Sequence, residues 1–141
     1  GLIPALKNAE FMRYGVMHRN TFINSPECLA PDFSLKAHEK TYFAGQITGV
    51  EGYVESAASG LMAAIYLYLK LNGKTTVPIS DRTVIGALIK YVTTKNKDFQ
   101  PMNANFGILP PVSEKDKAAR KRKQAERSLE DIKNFIKEND L

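Results

Sequence analysis

The stretch YFAGQITGVEGYVESAASG, residues 42–60, decides the fold, because a glycine-rich segment here runs directly into an apolar helical pattern. Four glycines stand in it, at positions 45, 49, 52 and 60. From about Val54 to Leu71 apolar residues recur every three or four positions, which predicts a helix, and Asn72-Gly73 supplies a left-handed stop. The apolar run Thr41–Ala44 before the glycines predicts a short strand. The chain is therefore expected to pass from strand through a bare loop into a helix.

The residues alone allow two interpretations of the glycine loop. Glycines let backbone amides approach a ligand closely, and a helix N-terminus offers free N–H donors to an anion or an electron-rich carbonyl. Alternatively, the glycines only make a tight turn and the small residues after them only permit close packing. The spacing matches neither the dinucleotide fingerprint G-x-G-x-x-G nor a phosphate-binding loop, and Glu51 argues against a phosphate in the loop.

Length and composition bound the class of protein. A chain of 141 residues is the size of one domain with one core. Cys28 is the sole cysteine, so an intrachain disulfide is excluded and a reducing cytoplasm fits. The longest apolar run, Leu61–Leu69, is about half of what a membrane span needs. A cytoplasmic domain without membrane association is predicted, and the start at Gly1 suggests a piece of something longer.

The segments around the main helix are expected to be less regular. Ser80 or Asp81 is predicted to cap a second helix that ends near Thr94 and carries Val84, Leu88 and Tyr91 on one face. Three more segments are assigned by composition: Phe11–Met17 and Thr21–Ile23 as strand or extended loop, Asn24–Lys40 as a connection, and the proline-rich Phe99–Val112 as ordered but irregular.

A third helix is predicted from a capping box at Ser113–Asp116 to about Lys137, with its buried stripe formed by Ala125, Leu129, Ile132 and Ile136. Residues 113–127 hold seven basic and three acidic side chains, a net charge of +4 out of +5 for the chain. The four consecutive basic residues are Arg120, Lys121, Arg122 and Lys123. They are either a solvated helix face or an auxiliary contact to RNA phosphates, and helix geometry prevents all four from facing one groove.

Three motifs, in this order along the chain, resemble one family. They are RYGVMHRNTFINSP at residues 13–26, the glycine stretch at 42–60, and FQPMNANFG at 99–107. Together they are similar to the folate- and FAD-dependent tRNA uracil-5 methyltransferases, bacterial enzymes that methylate the T-loop uridine. Related flavoproteins that modify the tRNA wobble uridine share the Ala-Gly-Gln-x-x-Gly core, but GVEGYVESAASG is closer to the methyltransferases. The resemblance covers about Phe11 to Val112.

The resemblance implies an α/β fold, the C-terminal portion of a glutathione-reductase-type FAD-binding domain, with a helical C-terminal extension. Residues 1–112 would form the FAD- and folate-binding part, and residues 113–141 a basic amphipathic helix. The implied enzyme takes its carbon from 5,10-methylenetetrahydrofolate and its electrons from FAD, which NAD(P)H recharges, to methylate uracil C5 in tRNA. The resemblance implies an FAD-facing set of Gly45, Gln46, Gly49, Gly52 and Tyr53, with Ile47, Thr48 and Val50 as neighbours.

The resemblance also bears on the polar residues outside the loop. Because the family holds the folate pterin between the flavin and a histidine ring, it implies His18 for this role, although a lone histidine is more often structural. Arg19 would meet the folate carboxylates or an RNA phosphate. His38 is expected to be solvated. Asn103 and Asn105 are either turn residues or ligand contacts.

Parts of the implied enzyme are missing from the sequence. The family opens with a Rossmann fingerprint, which this chain lacks, and its catalytic cysteines lie upstream. Cys28 matches no catalytic motif. The chain is therefore expected to be the C-terminal part of the enzyme, to need the upstream Rossmann half of the same polypeptide, and to hold no catalytic residue or metal site.

Two rival functions remain at this point. One is the wobble-uridine flavoprotein, which a partner-protein requirement and a different tRNA position would separate from the methyltransferase. The other is a basic RNA-binding or interaction module that keeps a flavoprotein-like scaffold without the cofactor. Failure to bind FAD with the upstream half restored would favour that second rival.

Overall fold

A computed structural model describes residues 2–10, 12, 15 and 20–141 of the chain. Its elements in chain order are helix α1 (Ser25–Cys28), strands β1 (Ser34–Leu35) and β2 (His38–Tyr42), and helices α2 (Tyr53–Leu71), α3 (Val84–Thr93) and α4 (Lys117–Glu138). Short 3₁₀ helices occupy Pro4–Leu6, Gly45–Thr48 and Phe106–Ile108. Helices with one small sheet confirm the α/β class.

Helix α2 is the central element and confirms the prediction to within one residue. It begins after Gly52 and ends at Leu71, with Asn72 as its C-cap. The next residue, Gly73, has a φ of 65°, and the Lys74 N–H donates to the Leu69 carbonyl at 3.0 Å. One face of the helix, with Met62, Ala63, Tyr66 and Leu69, is buried. A left-handed glycine just past the last turn satisfies the final carbonyls, so the helix stops where the local sequence requires.

The strand prediction at Thr41–Ala44 is only partly right. Strand β2 covers His38–Tyr42 and pairs antiparallel with β1, with an irregular register between Ser34 and Leu35. The predicted connection at 24–40 therefore contains α1, β1 and most of β2. Residues 21–23 belong to no helix or strand, and the Ile23 N–H donates to the Ile47 carbonyl at 2.9 Å. Most of the predicted segment 11–17 lies outside the described residues.

The predicted cap of the second helix is wrong. Thr83, rather than Ser80 or Asp81, caps α3, because its hydroxyl accepts from the Gly86 N–H at 2.9 Å while donating to the Ser80 carbonyl at 2.8 Å. Leu88 and Val92 on this helix are completely buried. The core they enter also contains Leu29, Phe33, Val50, Met62, Tyr66, Ile89 and Phe135.

Helix α4 contradicts both of its predicted details. Asp116, not Ser113, caps the helix by accepting from the Ala119 N–H at 2.7 Å, while Glu114 instead pairs with Lys123 at 2.7 Å. The side chains buried on it are Gln124, Ser128, Asp131 and Phe135. The stripe predicted to be buried lies on the outer flank, with Ala125, Leu129 and Ile136 exposed and Ile132 half-buried. A polar face can be buried when its groups are paired, and the guanidinium of Arg82 pairs with the Asp131 carboxylate.

The C-terminal end of α4 is hydrogen-bonded to the loop that follows α2. The Asn139 amide accepts from the Val77 N–H at 2.9 Å and donates to the Val77 carbonyl at 3.1 Å. The Phe135 ring meets the Tyr66 ring edge to face, with centroids 6.3 Å apart. Burial raises the pKa of the Tyr66 hydroxyl, which accepts from the Ile79 N–H at 3.1 Å.

Among the helices in the described ranges, none has the length and hydrophobicity to cross a membrane.

Candidate functional site

Three glycines give the loop between β2 and α2 a conformation that other residues rarely adopt. Gly45, Gly49 and Gly52 have φ angles of 74°, 83° and 91°. A 3₁₀ turn, Gly45–Thr48, lies in the loop between the end of β2 and the start of α2, so the chain passes from strand through loop to helix in the predicted order. Positive φ is nearly free for glycine and costs other residues energy, so these positions explain the glycine pattern locally.

Hydroxyl groups hold the 3₁₀ turn from both sides. The Gly45 N–H donates to the Ser59 hydroxyl at 2.8 Å, and the Thr48 hydroxyl donates to the Gly45 carbonyl at 2.7 Å. From α1, the buried Ser25 hydroxyl donates to the Thr48 carbonyl at 2.9 Å. The small residues that open α2 therefore fix the loop through Ser59 as well as permitting close packing.

The proline-rich segment 99–112 forms the wall behind the loop. The Met102 N–H donates to the Gly49 carbonyl at 2.9 Å, and the Glu51 N–H donates to the Met102 carbonyl at 3.1 Å. The Phe99 ring occupies the space beside Gly49, where an added Cβ would lie 2.5 Å from the ring. The segment is ordered and mostly irregular, as predicted, because its apolar side chains pack against the loop.

A cavity of about 460 Å³ opens beside the loop and the start of α2. Three residues of the predicted FAD-facing set line it: Gln46, Gly52 and Tyr53. The other lining residues are Asn20, Glu51, Ser56 and Asn103. Tyr53 stands at the first turn of α2 with its side chain almost fully exposed, so an aromatic ring is available at the mouth of the cavity.

The remaining predicted loop residues lie behind the cavity. Thr48 and Gly49 are buried, and Ile47 is half-buried. Gly45 lies against the Ser56 side chain, with 3.6 Å from an ideal Cβ position to the Ser56 Cβ. These positions shape the loop, whereas Gln46, Gly52 and Tyr53 border the open space.

The start of α2 supplies backbone donors to the cavity. Gly52 is the N-cap residue, and no side chain in the described part of the chain makes a capping hydrogen bond there. The Glu55 carboxylate lies against Gly52, where an added Cβ would meet it, and it accepts from the Ala104 N–H at 3.3 Å. Free N–H groups with the helix dipole favour an electron-rich group, while the Glu51 carboxylate in the lining disfavours a phosphate. The arrangement suits a carbonyl-bearing ligand better than a phosphate.

The sequence pattern gives three cavity residues no site role or only an open one. Ser56 is marked only by its small size, Asn103 fits either a turn or a ligand contact, and no signal in the sequence points to Asn20. They meet at the cavity through contacts between distant segments, which periodicity cannot reveal. Asn105 caps the Phe106–Ile108 turn by accepting from the Gly107 N–H at 2.9 Å, and therefore serves a turn. His18 and Arg19 lie outside the described residues.

The four residues of the basic run on α4 differ in the side chains that they contact. Lys123 pairs with Glu114 and holds the pKa of that carboxyl below its ordinary value. The Lys121 ammonium lies 5.8 Å from the centre of the Phe106 ring. Within the described ranges no ion pair engages Arg120 or Arg122, and both are exposed. Among the described residues, these two guanidinium groups are therefore the members of the run without an ion-pair or cation–π partner.

One known protein family matches the part of the chain that contains the glycine loop. The family described as Glucose inhibited division protein A matches residues 1–75, which include the whole loop and all of α2. The chain belongs to the glucose inhibited division protein A family. The matched region includes most of the residues that line the cavity: 20, 46, 51–53 and 56. It does not include α3, α4 or the lining residue Asn103.

Curated relatives of this member of the glucose inhibited division protein A family share one name, methylenetetrahydrofolate–tRNA-(uracil-5-)-methyltransferase TrmFO. The protein from Halalkalibacterium halodurans is 55% identical over 139 residues, 96% of this chain. Those from Brevibacillus brevis and Staphylococcus carnosus are 52% and 53% identical over 97% and 95% of it. The chain spans only 32% of the length of each of these relatives.

Proposed function

We propose that this chain is the flavin-cradling C-terminal part of a methylenetetrahydrofolate–tRNA (uracil-5-)-methyltransferase. The observation that carries the proposal is the cavity at the glycine loop, in a chain more than half identical to proteins of that name. The portion present would belong to a glutathione-reductase-type FAD-binding domain, with its Rossmann half upstream. Residues 1–112 would serve cofactor binding, and residues 113–141 would form the basic extension.

The cavity fits the flavin end of FAD better than its phosphates. A flavin ring carries carbonyl groups and collects negative charge when reduced, and the uncapped start of α2 offers it N–H donors and the positive end of a helix dipole. The Glu51 carboxylate in the lining opposes a phosphate at the same place. Gln46 and Ser56 supply hydrogen-bonding side chains, and the exposed Tyr53 ring supplies an apolar surface.

The residues of this chain would bind and orient, since none of them is proposed to react. Gly52 would let the cofactor approach the backbone, and Gln46 and Tyr53 would fix its position. When bound, FAD supplies the electrons that reduce the transferred one-carbon unit, with NAD(P)H as the source and 5,10-methylenetetrahydrofolate as carbon donor. His18 and Arg19 remain predictions for the folate. Catalysis would require the upstream half.

We also propose tRNA contacts on the basic half of α4, through Arg120 and Arg122 first and Lys121 and Lys123 second. The chain has a net charge of +5, and a positive surface attracts polyanions and speeds their encounter. Lys121 and Lys123 already have partners in Phe106 and Glu114, so their contribution would be smaller. A cytoplasmic location, where tRNA is modified, follows from the same proposal.

The experiment that tests the proposal is a visible absorption spectrum of the polypeptide extended upstream to the length of its relatives, followed by a methyl-transfer assay on undermodified tRNA with methylenetetrahydrofolate. A flavin spectrum and C5-methyluridine in the T-loop are expected. A flavoprotein that modifies the wobble uridine instead would replace the methyltransferase by its relative. A colourless, inactive protein would overturn both and leave the RNA-binding module.

A matched pair of glycine variants, made in the upstream-extended polypeptide, tests whether the cavity holds the flavin. Gly52 lines the cavity, and Gly52→Val places a branched side chain there at a φ of 91°, against the Glu55 carboxylate, so the change should abolish flavin retention. Gly73→Val has a φ of 65° in the turn after α2, with nothing within 4 Å of its Cβ position, and should retain the flavin. Equal retention in both variants contradicts the assignment of Gly52.

A further inference from the structure

Helix α2 turns an apolar face away from the core. Exposed side chains recur along it at helical spacing, and the large ones are more than half exposed: Tyr53, Val54, Leu61, Tyr68 and Leu71. Ala57 and Ala64 are exposed between them. We call the set Val54, Ala57, Leu61, Ala64, Tyr68 and Leu71 the outer face of α2.

The outer face contains no charged residue. Only two charged residues occur in the helix, Glu55 and Lys70, and both lie on other sides of it. Glu55 reaches the Ala104 N–H, and Lys70 reaches Glu39. A helix whose outer side faces water normally carries its charges there. An uncharged, apolar outer side is typical of a surface that another structure covers.

The apolar surface continues past the edge of the helix. Leu61 and Tyr68 border a groove of about 640 Å³, whose far side is formed by Ile132, Ile136 and Leu141. The groove widens the apolar surface beyond a single helix face, and Asp140 is the one charged residue among those that line it. The surface is therefore large enough to seat a packed element rather than one side chain.

We propose that the outer face of α2 is the docking surface for the part of the same polypeptide that precedes this chain, an inference that rests on the proposed function. Relatives are about three times as long, since the chain spans 32% of them, so an upstream partner of suitable size is expected. The family match ends at residue 75, just past α2, which places this helix in the region shared by the whole family.

The shape of the outer face fits a flat apolar layer. Ala57, Gly60 and Ala64 follow one another along the helix at intervals of three and four, so a partner can approach the helix backbone closely between the larger side chains. Within the described residues the sheet has only two strands. The face of an upstream sheet has the flatness and the apolar character that this surface requires.

Two leucines with the same exposure provide the test. Leu61 is 62% exposed on the outer face of α2, and Leu129 is 61% exposed on α4, where it is not among the residues that line the groove. In the polypeptide extended upstream, Leu61→Asp should lower the melting temperature by several degrees, whereas Leu129→Asp should not. In the 141-residue chain alone the two variants should behave alike, because both sites face water there.

Cysteine labelling tests the same surface without a destabilising charge. Ala64→Cys should react with a maleimide in the 141-residue chain and be protected in the extended polypeptide, while Ala125→Cys on α4 should react in both. Peptide-level mass spectrometry separates either site from Cys28. Labelling of Ala64→Cys in the extended polypeptide at the rate of Ala125→Cys would overturn the proposal.

The remaining outcomes are distinguishable. If the extended protein is a dimer that Leu61→Asp converts to a monomer without changing protection within the monomer, the occupant is a second copy and the proposal is wrong. If Leu61→Asp and Ala64→Cys behave as expected but the protein lacks flavin and methyl transfer, the docking surface stands and the proposed function fails.

Discussion

At the scale of the residue, Gly49 is the loop position where an added side chain should reduce stability most. Its φ is 83°, and an added Cβ would meet the Phe99 ring at 2.5 Å. The ring cannot withdraw easily, since it packs against Phe22 and Tyr91 with centroids 6.0 and 5.7 Å apart. Gly49→Ala should therefore lower the free energy of unfolding by about 3 kcal/mol, combining backbone strain with overpacking. Urea denaturation of the 141-residue chain measures it.

Gly73→Ala is the matched control for that prediction. Gly73 also has a positive φ, at 65°, but nothing lies within 4 Å of its Cβ position. Only the backbone term applies, so we expect a loss of about 1 kcal/mol. Equal losses at the two positions would show that Phe99 moves aside without cost.

At the scale of the element, the polar face of α4 depends on one ion pair. The Arg82 Nε–H donates to Asp131 at 2.8 Å, and a second guanidinium nitrogen donates to the other carboxylate oxygen. Asp131 is buried while Arg82 is half exposed, so solvent weakens the pair. Asp131→Ala should lower the free energy of unfolding by about 1–2 kcal/mol. Glu130→Ala, its exposed neighbour on the same helix, should change it little; a similar loss from both would assign the effect to the helix backbone.

The contribution of Asp131 should depend on pH in a definite direction. Hydrogen bonds from Arg82 hold the pKa of the Asp131 carboxyl below its ordinary value. The stabilisation is then complete above the unfolded pKa, about 3.9, and is lost as the pH falls through the lower folded value. The difference in stability between the native chain and Asp131→Ala should be constant near neutral pH and shrink below about pH 4. A difference that grows on acidification would contradict this sign.

At the scale of the whole molecule, the proposed tRNA contact predicts a binding affinity that depends on charge. Arg120 and Arg122 are exposed but stand roughly 200° apart around the helix, so one face presents only one of them. The double variant Arg120→Gln, Arg122→Gln should reduce the slope of log affinity against log salt by about one rather than two. Lys133→Gln, Lys137→Gln removes the same charge from the second half of α4. Equal reductions in the two double variants would show that net charge, not position, determines binding.

The sequence predicted a feature correctly when the interactions that determine it lie within one short segment, and failed when they join distant segments. Helix α2 was predicted almost to the residue, because its period and the Asn72-Gly73 stop lie within it. The buried side of α4 was predicted wrongly, because the partner of Asp131 is Arg82, distant in sequence. The same limit applies to the site. Gln46 and Tyr53 came from a contiguous motif and a family resemblance, whereas Asn20 reaches the cavity only through folding.

The two hydrogen bonds that join Met102 to Gly49 and Glu51 couple the cavity to a segment with little regular structure. Any ligand held by the loop stabilises this junction as well, because the junction must be closed for the loop to keep its shape. Protection of the Glu51 and Met102 amides from solvent deuterium would then rise with occupancy, although neither amide needs to touch the ligand. Amide exchange in the proline-rich segment would therefore report whether a ligand occupies the cavity.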